Sequence, residues 1–141
     1  MKIAIVNGPN LNLLGTREPE VYGKKTFETF LEYLIEIFPD VQFNYLQSNI
    51  EVELINAIQE YGFTTDGIIL NPAGYTHTSV AIGDAVAAVP AAVVEVHISN
   101  IFAREEIRKH SHVSAKCAGV ISGLGLKVYE LAVRYLIDSL K

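Results

Sequence analysis

A glutamate and a histidine alternate with valine in the run EVH at residues 95–97, and this spacing suits acid–base chemistry. Side chains two residues apart on a β-strand project to the same face, so Glu95 and His97 are expected to lie side by side. A carboxylate next to an imidazole fixes the tautomer of the ring and favours its protonated form. His97 is therefore a candidate general acid, although a buried ion pair without a catalytic role would have the same sequence.

A long polar loop, NGPNLNLLGTREPEVYG at residues 7–23, is the second candidate, because loops of this length are usually functional or disordered. Its Tyr22 has an ordinary pKa of about 10 and is a poor base at neutral pH. A guanidinium about 4 Å away stabilises a phenolate by roughly 4 kcal/mol at an effective dielectric near 20. Arg17 would therefore make Tyr22 a usable base. The alternative, an ordinary surface tyrosine in a mobile loop, is more common on residue type alone.

Polar groups that suit an oxygen-rich anion follow the third and fourth apolar runs. The side chain of Asn71 and the backbone amides of Ile98 and Ser99 are candidate anion donors. Nearby hydroxyls suit a polyhydroxylated ligand: Thr76, Thr78 and Ser99. Turn and cap chemistry is the alternative, since Asn, Ser and Thr are the usual residues there.

Other site types fit poorly. The four histidines, together with Glu95, match no compact metal-binding spacing. Cys117 is a lone cysteine among small residues, which is typical of packing and not of a nucleophile. GxGxxG, GxxxxGK[ST] and GxSxG are all absent from the sequence, which argues against dinucleotide, P-loop and serine-hydrolase sites.

Apolar runs and helical periods alternate along the chain. The patterns predict strands at 2–7, 41–47, 67–71, 92–97 and 119–122, and helices at 26–38, 49–61, 79–88 and 126–140. Gly62 is expected to end the second helix, and Thr78 or Ser79 to cap the third. This alternation predicts a flavodoxin-like doubly wound five-stranded parallel sheet with helices on both faces. Right-handed crossovers would bring the ends of strands one, three and four together.

Composition narrows the class of protein. The 141 residues are 50% hydrophobic, which suits a single packed domain over residues 1–141. The net charge of −5 argues against a nucleic-acid partner. The apolar run near the amino terminus is too short for a signal peptide or a membrane span. A single cysteine excludes an internal disulfide, so a reducing, cytoplasmic location is expected.

The chain closely resembles the type II 3-dehydroquinate dehydratases (type II 3-dehydroquinases) of the shikimate and quinate pathways. The resemblance rests on long ordered motifs: NGPNLNLLGTREPEVYG at 7–23, QSN at 47–49, NPAGYTHTSVAIGDA at 71–85, EVHISN at 95–100 and REEIRKHS at 104–111. With the elements between them, the match covers essentially the whole chain.

The resemblance implies dehydration of 3-dehydroquinate to 3-dehydroshikimate without a cofactor or a metal, by anti elimination through an enolate. Tyr22 would be the base, with its pKa lowered by Arg17. Asn10 would help to hold the water that stabilises the enolate oxygen. His97, oriented by Glu95, would protonate the departing hydroxyl.

The resemblance also implies how substrate is held. Its carboxylate and the neighbouring hydroxyl would contact three residues: Asn71, Ile98 and Ser99. His77 and Arg108 would bind the hydroxyls on the far side of the ring. A lid loop at about 15–25, which includes Arg17, would close over the site.

Family members form dodecamers built as tetramers of trimers, so the resemblance implies that Asp84 reaches a neighbouring subunit's site and pairs there with Arg108. The sequence departs from the family at Gly83, where arginine is expected.

The alternative hypotheses are a non-catalytic flavodoxin-like small-molecule-binding module and a pseudoenzyme. A receiver domain would need acidic residues after the first strand, where this chain has Asn7.

Overall fold

Five strands and four helices alternate along residues 1–16 and 26–141, the part of the chain that the computed structural model describes. The strands are β1 (Lys2–Asn7), β2 (Gln42–Gln47), β3 (Gly67–Asn71), β4 (Ala92–His97) and β5 (Gly119–Ser122). The helices are α1 (Phe27–Ile37), α2 (Glu51–Thr64), α3 (Val80–Ala88) and α4 (Lys127–Ser139). Short 3₁₀ turns span Leu11–Leu13, Ala73–His77, Ile101–Ala103, Glu106–Lys109 and Ser114–Lys116.

All strand pairs are parallel, and the strand order is β2-β1-β3-β4-β5. This is the flavodoxin-like doubly wound order, and it confirms the predicted fold. The strand order reverses between β1 and β3, where Asn7 pairs with Asn71 in the last register position. Ligands of such sheets bind in the crevice beyond the carboxyl ends of the strands at this switch point.

Two apolar layers cover the sheet, because alternate residues of each strand face opposite sides. Helices α1 and α4 pack on one face, against Ile5 and Val94 among others. Helices α2 and α3 pack on the other face, against Val6 and Val93 among others. Glu95 and His97 share the parity of Val93, so they point towards the α2–α3 side.

One predicted helix end is wrong in the structure, and one predicted helix cap is confirmed. Gly62 was expected to end α2, and this is wrong, because the helix continues to Thr64. A Cβ at position 62 would lie 2.4 Å from Cβ of Val89, so glycine serves close packing there and not termination. Ser79 is the cap of α3, since its Oγ accepts a hydrogen bond from the backbone N–H of Ile82 at 2.9 Å.

The length and apolar character of the helices show whether any of them could span a membrane. None of those in residues 1–16 and 26–141 combines the length and the apolar character needed to cross a bilayer.

Candidate active site

A cleft opens beyond the carboxyl ends of β1, β3 and β4, where the sheet order places the switch point. The described residues that line it are Pro9, Asn10, Leu11, Leu13, Leu14, Asn71, Ala73, Gly74, His77, His97, Ile98, Ser99, Ile101, Arg104 and Arg108. The expectation that the ends of strands one, three and four meet is therefore confirmed. Seven of the predicted site residues share this cleft: Asn10, Asn71, His77, His97, Ile98, Ser99 and Arg108.

The last residues of β4 form a tight acid–base pair. Nε2 of His97 lies 2.6 Å from Oε2 of Glu95, and both side chains are almost completely buried. The carboxylate accepts the Nε2–H, so this contact sets the tautomer of the ring. Nδ1 of His97 is then the nitrogen left to exchange a proton with a group in the cleft.

The hydroxyl of Thr76 does not serve the ligand, which corrects the sequence-based expectation. Thr76 is fully buried, and its Oγ1 lies 3.2 Å from Oε2 of Glu95. The 3₁₀ turn Ala73–His77 points this residue under the cleft and not into it. Thr78 is exposed and is not among the described residues that line the cleft.

The ring of His77 lies beside the pair. Its Nδ1 donates to the backbone carbonyl of His110 at 2.7 Å, and its ring centroid lies 6.4 Å from that of His97. Burial lowers the pKa of His77, and the nearby His97 and Arg108 lower it further. Because Nδ1 carries the hydrogen, Nε2 of His77 is an acceptor for a hydroxyl.

A buried hydrogen-bond network orients Asn71. The hydroxyl of Tyr129 donates to Oδ1 of Asn7 at 2.8 Å and accepts from Nδ2 of Asn71 at 2.9 Å. Oδ1 of Asn71 accepts from the backbone N–H of Ala73 at 3.1 Å. These contacts fix which end of the amide is the donor, so Asn71 presents its second N–H to the cleft. An N–H donor selects an oxygen acceptor such as a carboxylate or a hydroxyl.

Two non-glycine residues of the cleft have a left-handed backbone, Asn10 with φ 71° and Ala73 with φ 52°. Such conformations cost of order 1–3 kcal/mol for residues with a side chain and concentrate at functional sites. Asn10 is further held by its backbone N–H, which donates to Oδ1 of Asn49 at 2.9 Å. Gly8 permits the close approach of the two loops, since a Cβ there would lie 2.7 Å from the carbonyl oxygen of Pro72.

Donors for an anion gather after β4. Among the backbone hydrogen bonds that the described turns, loops and caps form, none is donated by the N–H of Ile98 or of Ser99. Nη1 of Arg104 donates to Oγ of Ser99 at 3.3 Å. Nε of Arg108 donates to the exposed carboxylate of Glu105 in a short contact. Two guanidinium groups thus line the cleft of an acidic chain, and that of Arg108 is paired with a carboxylate.

Arg104 was not predicted to be in the site, although it lines the cleft. Two signals could have placed it there: its position after the fourth strand and its place as the first residue of the REEIRKHS motif. The apolar wall formed by Leu11 and Leu14 was also missed, since leucines in a loop carry no chemical signature.

Four predicted site residues are not among the described residues that line the cleft. Glu95 is fully buried and accepts a hydrogen bond from Nε2 of His97. Arg17 and Tyr22 lie outside the described residues. Asp84 is exposed on α3 and does not line this chain's own cleft.

A metal site and a cysteine nucleophile are the other two kinds of chemistry that the sequence raised, and the described residues support neither. Residues 1–16 and 26–141 contain no group of three or more His, Cys, Asp or Glu side chains that could hold a metal ion. Cys117 is partly buried, and burial raises the pKa of its thiol to about 12. A thiol of this kind is a poor nucleophile at neutral pH.

The fold and the cleft together define a class of protein. It is a flavodoxin-like α/β domain without a dinucleotide or P-loop motif, whose switch-point crevice contains a carboxylate-oriented imidazole and donors for a small oxygen-rich anion.

Comparisons with known proteins name the family. The family model described as Dehydroquinase class II matches residues 1–137. The 3-dehydroquinate dehydratase of Fusobacterium nucleatum subsp. nucleatum is 53% identical over 144 residues, which cover 98% of this chain and 97% of that protein. The protein of the same name from Exiguobacterium sp. is 50% identical over 139 residues, covering 98% and 95% respectively.

Solved structures agree with these relatives. The type II dehydroquinase from Butyrivibrio crossotus DSM 2876 superposes with a TM-score of 0.92 at 45% identity, covering 96% of this chain and 97% of that chain. A 3-dehydroquinate dehydratase-like protein from Bifidobacterium longum gives 0.72 at 27% identity, covering 100% and 98%. The chain belongs to the class II dehydroquinase family.

Proposed function

We propose that this protein dehydrates 3-dehydroquinate to 3-dehydroshikimate by anti elimination through an enolate, with Tyr22 as the base and His97 as the acid. Membership of the family and the names of its relatives support the reaction. The observation that carries the proposal is the Glu95–His97 pair at the switch-point crevice. Nε2 of His97 lies 2.6 Å from the carboxylate of Glu95, and the ring of His97 lines the cleft.

The proposed steps balance in protons and electrons. Tyr22 as phenolate removes the proton alpha to the ketone, and the electron pair of the broken C–H bond forms the enolate. The enolate then expels the β-hydroxyl, which takes a proton from Nδ1 of the His97 imidazolium and leaves as water. The tyrosine hydroxyl and the neutral imidazole return to their starting states when one proton passes between them through solvent. General acid–base catalysis of this kind contributes typically 10²–10⁴-fold.

Binding of the substrate uses the donors of the cleft. The carboxylate and the hydroxyl next to it would contact the N–H of Asn71 and the amides of Ile98 and Ser99. His77 and Arg108 would hold the hydroxyls on the far side of the ring. The lowered pKa of His77 supports this role, because it favours the neutral ring, whose Nε2 accepts a hydrogen bond from a hydroxyl.

Enolate stabilisation and closure complete the proposal. Asn10 would hold the water that donates to the enolate oxygen, and its left-handed backbone is the kind of strained position found at active sites. Residues at about 15–25 would act as a lid that brings Arg17 and Tyr22 over the ring. No cofactor and no metal would take part.

Assembly and location form the last part of the proposal. A dodecamer, built as a tetramer of trimers, would place Asp84 in the site of a neighbouring subunit, paired with Arg108. The exposed position of Asp84 on α3, away from its own cleft, supports this arrangement. The single cysteine supports a cytoplasmic location.

The decisive test is direct. Purified protein, treated with a chelator, is mixed with 3-dehydroquinate, and the ultraviolet absorbance of the conjugated enone carboxylate is followed. We expect the absorbance to rise, with or without prior borohydride treatment in the presence of substrate, because no Schiff base is needed. Absence of product under all conditions would leave the small-molecule-binding module or the pseudoenzyme.

The role of the base has its own variant. Tyr22→Phe should reduce turnover by about 10²-fold or more, while thermal unfolding and oligomer size stay as in the wild type. Tyr135→Phe is the matched control, because Tyr135 is 47% exposed on α4 and does not line the cleft. Unchanged turnover in Tyr22→Phe would remove this residue from the mechanism.

A further inference from the structure

Two hydroxyl groups lie on the buried carboxylate that orients the acid. Glu95 is fully buried, and Oγ1 of Thr76 lies 3.2 Å from its Oε2. Oγ of Ser114 lies 2.9 Å from the same oxygen and 3.0 Å from Oε1. An ionised carboxylate is an acceptor only, so both hydroxyls donate to it. The group therefore accepts from two hydroxyls in addition to the ring of His97.

The direction of these hydrogen bonds is fixed by a third hydroxyl. Oγ of Ser111 accepts from the backbone N–H of Val113 at 3.0 Å and of Ser114 at 2.9 Å. A hydroxyl has two acceptor lone pairs, so both are then in use. Ser111 must therefore donate its own hydrogen to Oγ1 of Thr76, 2.7 Å away. The hydrogen of Thr76 is left to donate to Glu95.

The segment that carries the two serines is seated on neighbouring elements. The backbone N–H of His112 donates to the carbonyl of Thr76 at 2.8 Å. On the other side, a Cβ at position 83 would lie 2.2 Å from the carbonyl oxygen of His112, so Gly83 lets the segment pack directly on α3. Ser111 and Ser114 are thus held at fixed positions relative to the end of β4.

We propose that Thr76 and Ser114 are positioning residues for the acid. Their hydroxyls hold the Glu95 carboxylate where it accepts Nε2–H of His97, which leaves Nδ1 of the ring turned to the cleft. Neither residue is among the described residues lining the cleft, so they act through Glu95 and do not touch the substrate. The inference rests on the proposed dehydratase activity.

The physical reason is the cost of an unsatisfied buried charge. A carboxylate removed from water needs donors for its lone pairs, and each donor that is lost leaves part of that cost uncompensated. Without the two hydroxyls, the carboxylate of Glu95 would lose the contacts that fix its orientation. The imidazole would then lose the partner that sets its tautomer and its own orientation.

The test is a set of steady-state measurements with 3-dehydroquinate on the full-length protein. Thr76→Val and Ser114→Ala should each lower kcat about 10-fold or more, within the range that a general acid contributes. KM should stay within about twofold, because a residue that acts only on the acid affects the transition state and not substrate binding. Thr76→Ser should keep kcat within about twofold of wild type, since it retains the hydroxyl.

A matched control separates this effect from general loss of stability. Thr65→Val removes a partly buried hydroxyl that donates to the carbonyl of Tyr61 at 2.7 Å, just before the amino end of β3 and so at the opposite edge of the sheet from the cleft. This variant should lose thermal stability and keep kcat. If Thr76→Val does not fold, Ser114→Ala, at a partly exposed position, decides the question alone.

A double-mutant comparison gives the sharpest result. In a Glu95→Gln background, Thr76→Val should lower kcat by no more than about twofold further, because the hydroxyl acts only through the carboxylate. An equal loss in both backgrounds would overturn the proposal, as would a loss seen mainly in KM or unchanged kcat in both single variants. A wild-type protein without dehydratase activity would instead overturn the proposed function.

Discussion

Replacing Tyr129 by phenylalanine would remove one hydroxyl from the core beneath the cleft and nothing else. That hydroxyl joins two strand ends, donating to Asn7 at 2.8 Å and accepting from Asn71 at 2.9 Å. The aromatic ring packs against Phe27 with centroids 4.9 Å apart, and phenylalanine preserves this contact. The variant therefore isolates the contribution of the two hydrogen bonds.

The expected loss of stability follows from burial. Asn7 is fully buried and Asn71 is 3% exposed, so water cannot replace the missing hydroxyl. Leaving a buried polar group without its partner costs about 1–3 kcal/mol, so two such groups give a loss of about 2–4 kcal/mol after partial relaxation. For a domain of 141 residues this corresponds to a fall in Tm of about 7–14 °C.

The variant should also affect binding. Without Tyr129, the amide of Asn71 keeps its hydrogen bond from Ala73 but loses the contact that directs its N–H groups. KM for 3-dehydroquinate should rise several-fold, towards the tenfold that about 1.4 kcal/mol represents. Burial raises the pKa of Tyr129 far above its ordinary value, so the hydroxyl is un-ionised and the effect should be the same from pH 6 to pH 9.

Thermal unfolding at one fixed protein concentration and steady-state kinetics would measure these two effects. A fixed concentration is needed because the proposed assembly would make Tm depend on it. Tyr135→Phe, on the exposed face of α4, is the control for removal of a tyrosine hydroxyl. A change in Tm of less than about 2 °C together with an unchanged KM would refute the reasoning, because the network would then carry neither stability nor orientation.

Two further predictions concern other titratable groups. A hydrogen bond from Lys127, with support from Arg134 and Tyr33, holds the pKa of Glu130 below its usual value despite burial. The stability that this carboxylate contributes is present above about pH 4.5 and is lost as the pH falls through the lowered pKa. Glu130→Gln lacks this contribution at every pH. Its Tm, measured from pH 7 to pH 3, should therefore fall less steeply than that of the wild type. Burial raises the pKa of Cys117 to about 12, so only about one thiol in ten thousand is ionised at pH 8. Iodoacetamide should therefore modify Cys117 far more slowly than it modifies a free thiol. Rapid labelling would contradict the packed position of this residue.

Much of the architecture could be predicted because its signals are local. The spacing of Phe27, Phe30 and Leu34 marks the buried face of α1, and the apolar run GIILN marks β3 as a strand covered on both sides. Glu95 and His97 were predicted to meet because the two-residue period of a strand is itself local. The predicted roles of Arg17 and Tyr22 remain predictions, since both lie outside the described residues.

The errors have a common origin in packing between distant segments. Gly62 looked like a helix end, but its place is decided by contact with Val89. Thr76 looked like a ligand for a polyhydroxylated substrate, but the 3₁₀ turn directs it to Glu95. Arg104 was assigned no role from the sequence, and the fold places it beside Ser99.

The sequence by itself determined the elements, their order, the doubly wound sheet and the acid–base pair, because periodicity and strand alternation are properties of neighbouring residues. Only the tertiary structure decided which groups support that pair and orient the amide of Asn71. Tyr129 meets Asn7 across 122 positions of chain, and Glu95 accepts from hydroxyls 19 residues away on either side. Such contacts depend on how whole elements pack, and no local pattern of residues encodes them.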